Sequence, residues 1–120
     1  MNLHAQMLAS IERDFADRLA APPVLTQDAL ALSLTNGVTL TVRFAAADAY
    51  SMRWGIDDVE LGIDTAPTHP ELDTHPNHLH LADGRVVADP LTRLGDDPMT
   101  NLMAVIDAVL VDPLLSRRSE

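Results

Sequence analysis

Apolar residues at the start of the chain recur three and four positions apart. Leu3, Met7, Leu8, Ile11, Phe15 and Leu19 fall on one stripe of a helix. Asp14 and Arg18 stand one turn apart off that stripe and can pair weakly. Pro22-Pro23, which removes two backbone donors, is expected to stop the helix. The pattern then changes to period two. Leu30, Leu32 and Leu34 alternate with Ala and Ser over 29–34, and Val38, Leu40, Val42 and Phe44 alternate with Thr39, Thr41 and Arg43 over 38–44. Asn36-Gly37 suggests a two-residue turn, but that closure places the two apolar sets on opposite faces. A three-residue loop, Thr35-Asn36-Gly37, pairs Leu34 with Val38, Leu32 with Leu40 and Leu30 with Val42, all on one face, with Gly37 in the left-handed position.

A second hairpin runs through Tyr50, Met52 and Trp54, around Gly55-Ile56-Asp57-Asp58, and out through Val59, Leu61 and Ile63. A four-residue loop pairs Trp54 with Val59, Met52 with Leu61 and Tyr50 with Ile63. Beyond a proline-rich stretch, His78-Leu79-His80-Leu81 alternates, Asp83-Gly84 offers a two-residue turn, and Arg85-Val86-Val87 returns. The last element is a helix with Asp97 as cap and Pro98 in the first turn. Met99, Leu102, Met103, Ile106, Val109 and Leu110 are its expected buried stripe, and Pro113 its end. This order predicts an α+β fold, an antiparallel sheet of about six strands with one apolar face covered by N- and C-terminal helices. It is expected to be a single domain over 1–120, with a His/Pro-rich loop at 64–80.

Composition narrows the function classes. Hydrophobic residues at 47% exclude a disordered chain. No apolar run approaches the ~18 residues of a membrane span. Without cysteine there are no disulfides, thiolate metal sites or cysteine nucleophiles. With no export signal at its N-terminus, the chain is expected to be cytoplasmic. The net charge is −10, and all eight bases are arginines. The excess is concentrated over residues 49–98, which carry −7 against −2 before them and −1 after. So acidic a surface disfavours non-specific contact with a phosphate backbone and suits a basic protein partner, a bound cation or solubility. There is no glycine-rich phosphate loop and no nucleophile elbow. Arg53, Arg85 and Arg93 stand as scattered cations, each a surface residue by default.

The chemistry is in the histidines. Four of the five fall between His69 and His80, together with Glu71 and Asp73, among Pro67, Pro70 and Pro76, which are expected to hold the loop extended and stiff. His78 and His80, two apart on a strand, share one face with backbones ~6.5–7 Å apart, close enough to converge on one metal ion or one phosphate. Pairing across Asp83-Gly84 sets His80 opposite Val87 and His78 opposite Asp89, whose carboxylate would fix an imidazole tautomer. Three readings follow. His78, His80 and a loop ligand, His69 or Glu71, can bind a divalent transition metal. Two histidines can act as general acid and base on a ribose hydroxyl and a leaving oxygen. Or the imidazoles satisfy the backbone of an irregular loop. His4 is expected to be a solvated helix residue, and His75 is out of phase with the strand pair.

The run Tyr50…Arg53-Trp54…Ile63-Asp64-Thr65-Ala66-Pro67-Thr68-His69-Pro70-Glu71-Leu72, then Pro76-Asn77-His78-Leu79-His80, resembles the TumE family of small toxins. Asp64, Ala66, Pro67, His69, Pro70, Glu71, Pro76, His78 and His80 match the family pattern. Thr65, Thr68 and Asn77 depart from it, two of them replacing histidines, which leaves His69, His78 and His80 as the surviving set. The resemblance implies the toxin of a two-gene toxin–antitoxin system, and the histidine chemistry is read as acting on RNA. His78, His80, His69, Glu71 and Asp89 are then its candidate catalytic residues, and the first three with Glu71 its alternative metal ligands. It also implies a helix-turn-helix antitoxin as partner, whose basic surface could meet the acidic 49–98 region; the sequence admits a homodimer as well. A ribonuclease of charge −10 needs a local positive patch or a cation, and no patch is evident in the linear sequence. The alternative is a non-catalytic interaction or metal-binding domain with a structural histidine loop.

Overall fold

The computed structural model describes residues 3–116. The first apolar stripe forms α1 (Leu3–Asp14), which buries Met7 and Ile11. It ends sooner than the stripe predicts. A 3₁₀ turn at Ala16–Arg18 follows, and Leu19 is already extended and bridged to Leu34. The Ala20 N–H donates to the Ser33 carbonyl at 2.7 Å, so pairing with a strand edge takes the chain out of the helix before Pro22. The expected Asp14–Arg18 pair therefore does not form. Asp14 pairs with Arg13 at 2.9 Å and Arg18 with Asp107 at 3.3 Å.

Seven strands follow in one antiparallel sheet whose spatial order is their sequence order: β1 (Val24–Leu25), β2 (Leu30–Ser33), β3 (Thr39–Ala46), β4 (Ala49–Ile56), β5 (Val59–Asp64), β6 (His78–His80) and β7 (Val86–Ala88). The strand beyond the six expected is β1, whose two residues are too few to show an alternation. The first hairpin closes as predicted: Leu30 faces Val42, Leu32 faces Leu40, and Gly37 takes φ +91°. The second does not. Met52 faces Ile63, Trp54 faces Leu61 and Ile56 faces Val59, a shift of two residues from the predicted register. The strands run on to an Asp57-Asp58 turn in which Asp57 sits at φ +55°, a conformation aspartate tolerates. The third hairpin is displaced by one residue, pairing His78 with Ala88 and His80 with Val86 rather than with Asp89 and Val87. Leu81 N–H donates to the Arg85 carbonyl, so the loop holds three residues and Gly84 adopts φ +91°, the same closure as at Gly37.

Helix α2 (Pro98–Val111) is capped by the Asp97 carboxylate, which accepts the Met99 N–H at 3.0 Å. Its buried stripe is Leu102, Val105, Ile106 and Val109, so Val105 takes the inward place expected of Met103. Both helices join one core cluster with Leu30, Leu32, Leu40, Val42, Met52, Trp54, Leu61, Ile63 and Leu79, the alternate positions of β2–β6. Asn36 Nδ2 donates to the Val109 carbonyl and Trp54 Nε1 to the Pro113 carbonyl, fixing α2 on that face. His4 lies in this interior, not in solvent, because its Nε2 accepts the Phe44 N–H (3.0 Å) beside a bulge in β3. Among the described residues no helix is long and apolar enough to cross a membrane. The opposite face of the sheet presents Thr41, Arg43, Ser51, Arg53, Gly62, Asp64, His78 and His80, and there the chemistry collects.

Candidate functional site

Strand alternation sends Leu79 into the core and its neighbours outward. The register of β5 with β6 sets Asp64 directly opposite His78 and Gly62 opposite His80. One carboxylate then bridges two imidazoles. His78 Nε2 lies 2.9 Å from Asp64 Oδ1, and His80 Nε2 lies 3.2 Å from Oδ2. Asp64 Oδ1 also accepts the Ala66 N–H, which starts the loop 65–77. His78 Nδ1 stands 3.1 Å from the Pro76 carbonyl.

The loop is not the extended strap that three prolines suggest. Hydrogen bonds from Leu72 N–H to His69, from His75 to Leu72 and from Asn77 to Thr74 coil it into successive turns, in which proline is readily accommodated. That coiling brings His69 over the strand pair. Its ring meets His78 edge-on at 4.9 Å between centroids, and His78 meets His80 at 4.7 Å. His69 Nδ1 faces Glu71 Oε2 at 3.4 Å. The His78 side chain is 2% exposed, while those of His80 and His69 are 43% and 31% exposed. A buried imidazole is thus flanked by two that reach solvent, each with one nitrogen against a carboxylate. Ligand atoms of Asp64, His78 and His80 all lie within 4.8 Å of one another, so the group could hold a metal ion.

A family model described as Toxin TumE matches residues 6–116, nearly the whole chain. The chain belongs to the TumE toxin family. No curated protein and no solved structure matches it. Membership in a toxin family implies an antitoxin partner. The Asp64-to-His80 site lies inside the matched span.

The structure brings His69, His78, His80 and Glu71 together, but the aspartate against the strand histidines is Asp64 and not the expected Asp89. Asp89 touches no imidazole. Its Oδ1 accepts the N–H groups of Leu91 and Thr92, and its Oδ2 accepts from Thr92 Oγ1 and Asn77 Nδ2. Asn77 faces inward and also donates to the Tyr50 hydroxyl at 2.9 Å. Tyr50, Asn77, Asp89 and Thr92 form a buried polar network that anchors the loop at the residue before His78. Asp64, the carboxylate that does hold the imidazoles, was visible only as the first matching residue of the family pattern. His75 is exposed and apart from the cluster.

Burial pushes the Tyr50 phenol above its ordinary range, against hydrogen bonds to Thr92 and Asn77 that pull it down. A folded-state value above the unfolded one of about 10 stabilises the native state at lower pH. That contribution is lost as pH rises from about 10 through the folded value. Tyr50→Phe is therefore expected to flatten the decline of stability above about pH 10, read from urea midpoints across alkaline pH. Parallel declines in both proteins would show that the phenol is not responsible.

Proposed function

We propose that this TumE-family toxin cleaves RNA, with His69 and His80 as the proton-transferring pair and Asp64 and His78 as the frame that orients them. The observation carrying this reading is the Asp64 carboxylate bridging a buried and a solvent-open imidazole, with His69 edge-on to the buried one. An imidazole that donates one N–H to a carboxylate keeps its other nitrogen free to accept a proton. His80 with Asp64 and His69 with Glu71 are two such pairs. One neutral imidazole takes the proton of a ribose 2′-hydroxyl as that oxygen bonds to phosphorus. The other, as imidazolium, gives its proton to the departing 5′-oxygen, leaving a 2′,3′-cyclic phosphate and a 5′-hydroxyl.

A second reading rests on the His78 contact with the Pro76 carbonyl. An Nδ1–H donated there leaves the Nε2 lone pair aimed at Asp64 and His80, the usual outer-sphere arrangement of a metal-bound histidine. Asp64, His78 and His80 would then supply three protein ligands to a divalent transition metal and leave a position open to substrate.

Expression of the wild type is expected to arrest growth, and the His69/His78/His80→Ala protein, at equal soluble level, to permit it. Purified wild type is expected to cleave RNA with a cyclic-phosphate product, insensitive to chelator under the first reading and abolished by it under the second. Absence of cleavage by folded wild type, or undiminished cleavage by the triple variant, overturns both. Stoichiometric metal whose removal unfolds an inactive protein would mark a binding domain instead.

A further inference from the structure

An acidic chain that acts on RNA must offer the phosphates a cationic path to its site. The sheet register builds one from arginines that look scattered in the sequence. Arg43, Ser51, Asp64 and His78 form one cross-strand row on the outer face, and Thr41, Arg53, Gly62 and His80 form the next. Arg43 therefore stands two strands from Asp64, and Arg53 two strands from His80, about 10 Å in each case at the usual strand spacing. Gly62 has no side chain in the gap. A Cβ there would come within 3.2 Å of Arg53 Cγ, so the arginine stem lies over β5 at Gly62, with its guanidinium turned to Glu60.

The carboxylates of these rows are already engaged. Asp64 is held by two imidazoles, and Glu60, one row further, pairs with Arg53 at 3.5 Å in an exposed contact that costs little to exchange. Arg43 is exposed and, among the described residues, has no acidic partner. The turn acids Asp57 and Asp58 lie at one end of the strands and Asp48 at the other, so they bound the path without crossing it.

We propose that Arg43 and Arg53, with the hydroxyls of Ser51 and Thr41, bind the phosphates of a single-stranded RNA next to the linkage presented to His80. This rests on the RNA reading above and gives it a substrate track. The test uses the full-length chain carrying His69→Ala and His80→Ala, so that RNA is bound but not cut. Binding of a fluorescein-labelled single-stranded RNA is followed by anisotropy over a range of salt concentrations. Arg43→Ala and Arg53→Ala are each expected to weaken binding several-fold. Together they should lower the slope of log K against log salt by about 0.7 per arginine lost. Arg13→Ala, an exposed arginine on α1, should change neither, and Arg43→Lys should retain most of the slope. Circular dichroism confirms that each variant is folded.

Unchanged affinity and slope in the double variant overturn the track, as does a parent that binds no RNA. The two proposals fail separately. Histidine-dependent cleavage with arginine-independent binding removes the track alone. Arginine-dependent binding with no cleavage by the wild type removes the catalytic reading alone.

Discussion

Asp64→Ala is expected to lower the rate of RNA cleavage by about 10²–10⁴-fold, the range that a positioned acid–base group supplies, and to relieve growth arrest. The carboxylate pairs with both strand imidazoles. Without it His80 loses the partner that fixes its ring, and His78 keeps a buried Nε2 with nothing to bond. An orphaned buried polar atom costs about 1–3 kcal/mol, so the variant should also melt earlier while remaining folded. Asp64→Asn separates the two effects. It keeps the shape and an acceptor for the Ala66 N–H but loses the charge, so it should recover stability more than activity. Cleavage by purified Asp64→Ala at the wild-type rate would exclude the site.

Trp54→Ala should produce the largest loss of stability, about 3–5 kcal/mol by urea unfolding, against the 5–15 kcal/mol typical of a whole domain. Trp54 is fully buried on β4 and its Nε1–H holds the Pro113 carbonyl at 2.8 Å. Its removal both opens a cavity and releases the segment after α2. Trp54→Phe fills most of the cavity and should lose clearly less. A loss below about 1 kcal/mol for the alanine variant would mean that the core can collapse around the site.

The limits of the sequence are limits of register. At Gly37 the apolar alternation on both sides selects the three-residue loop, because a slip of one residue would turn one strand inside out. The same closure at Gly84 is not selected, because Val86 and Val87 are both apolar and satisfy either register. The second hairpin moves by two residues, which keeps every side chain on its face and is invisible to hydrophobic pattern. That shift brings Asp64 opposite Ser51, in the row of Arg43. The pairing of β5 with β6 lies across the loop 65–77, whose length carries no register information. The histidines could therefore be recognised by type and spacing, while their carboxylate and the arginines beside them could not.

The sheet never crosses over itself: each strand pairs with the strand before it in the chain. Contacts so local in sequence favour fast folding. The longest closure needed to unite Asp64 with the imidazoles is the loop 65–77, an entropic cost of about 2 kcal/mol from its length. The site is thus written within one short stretch of polypeptide and assembles as the sheet zips up. Exchanging that stretch between relatives could alter the chemistry while the helices and the remaining strands stay as they are.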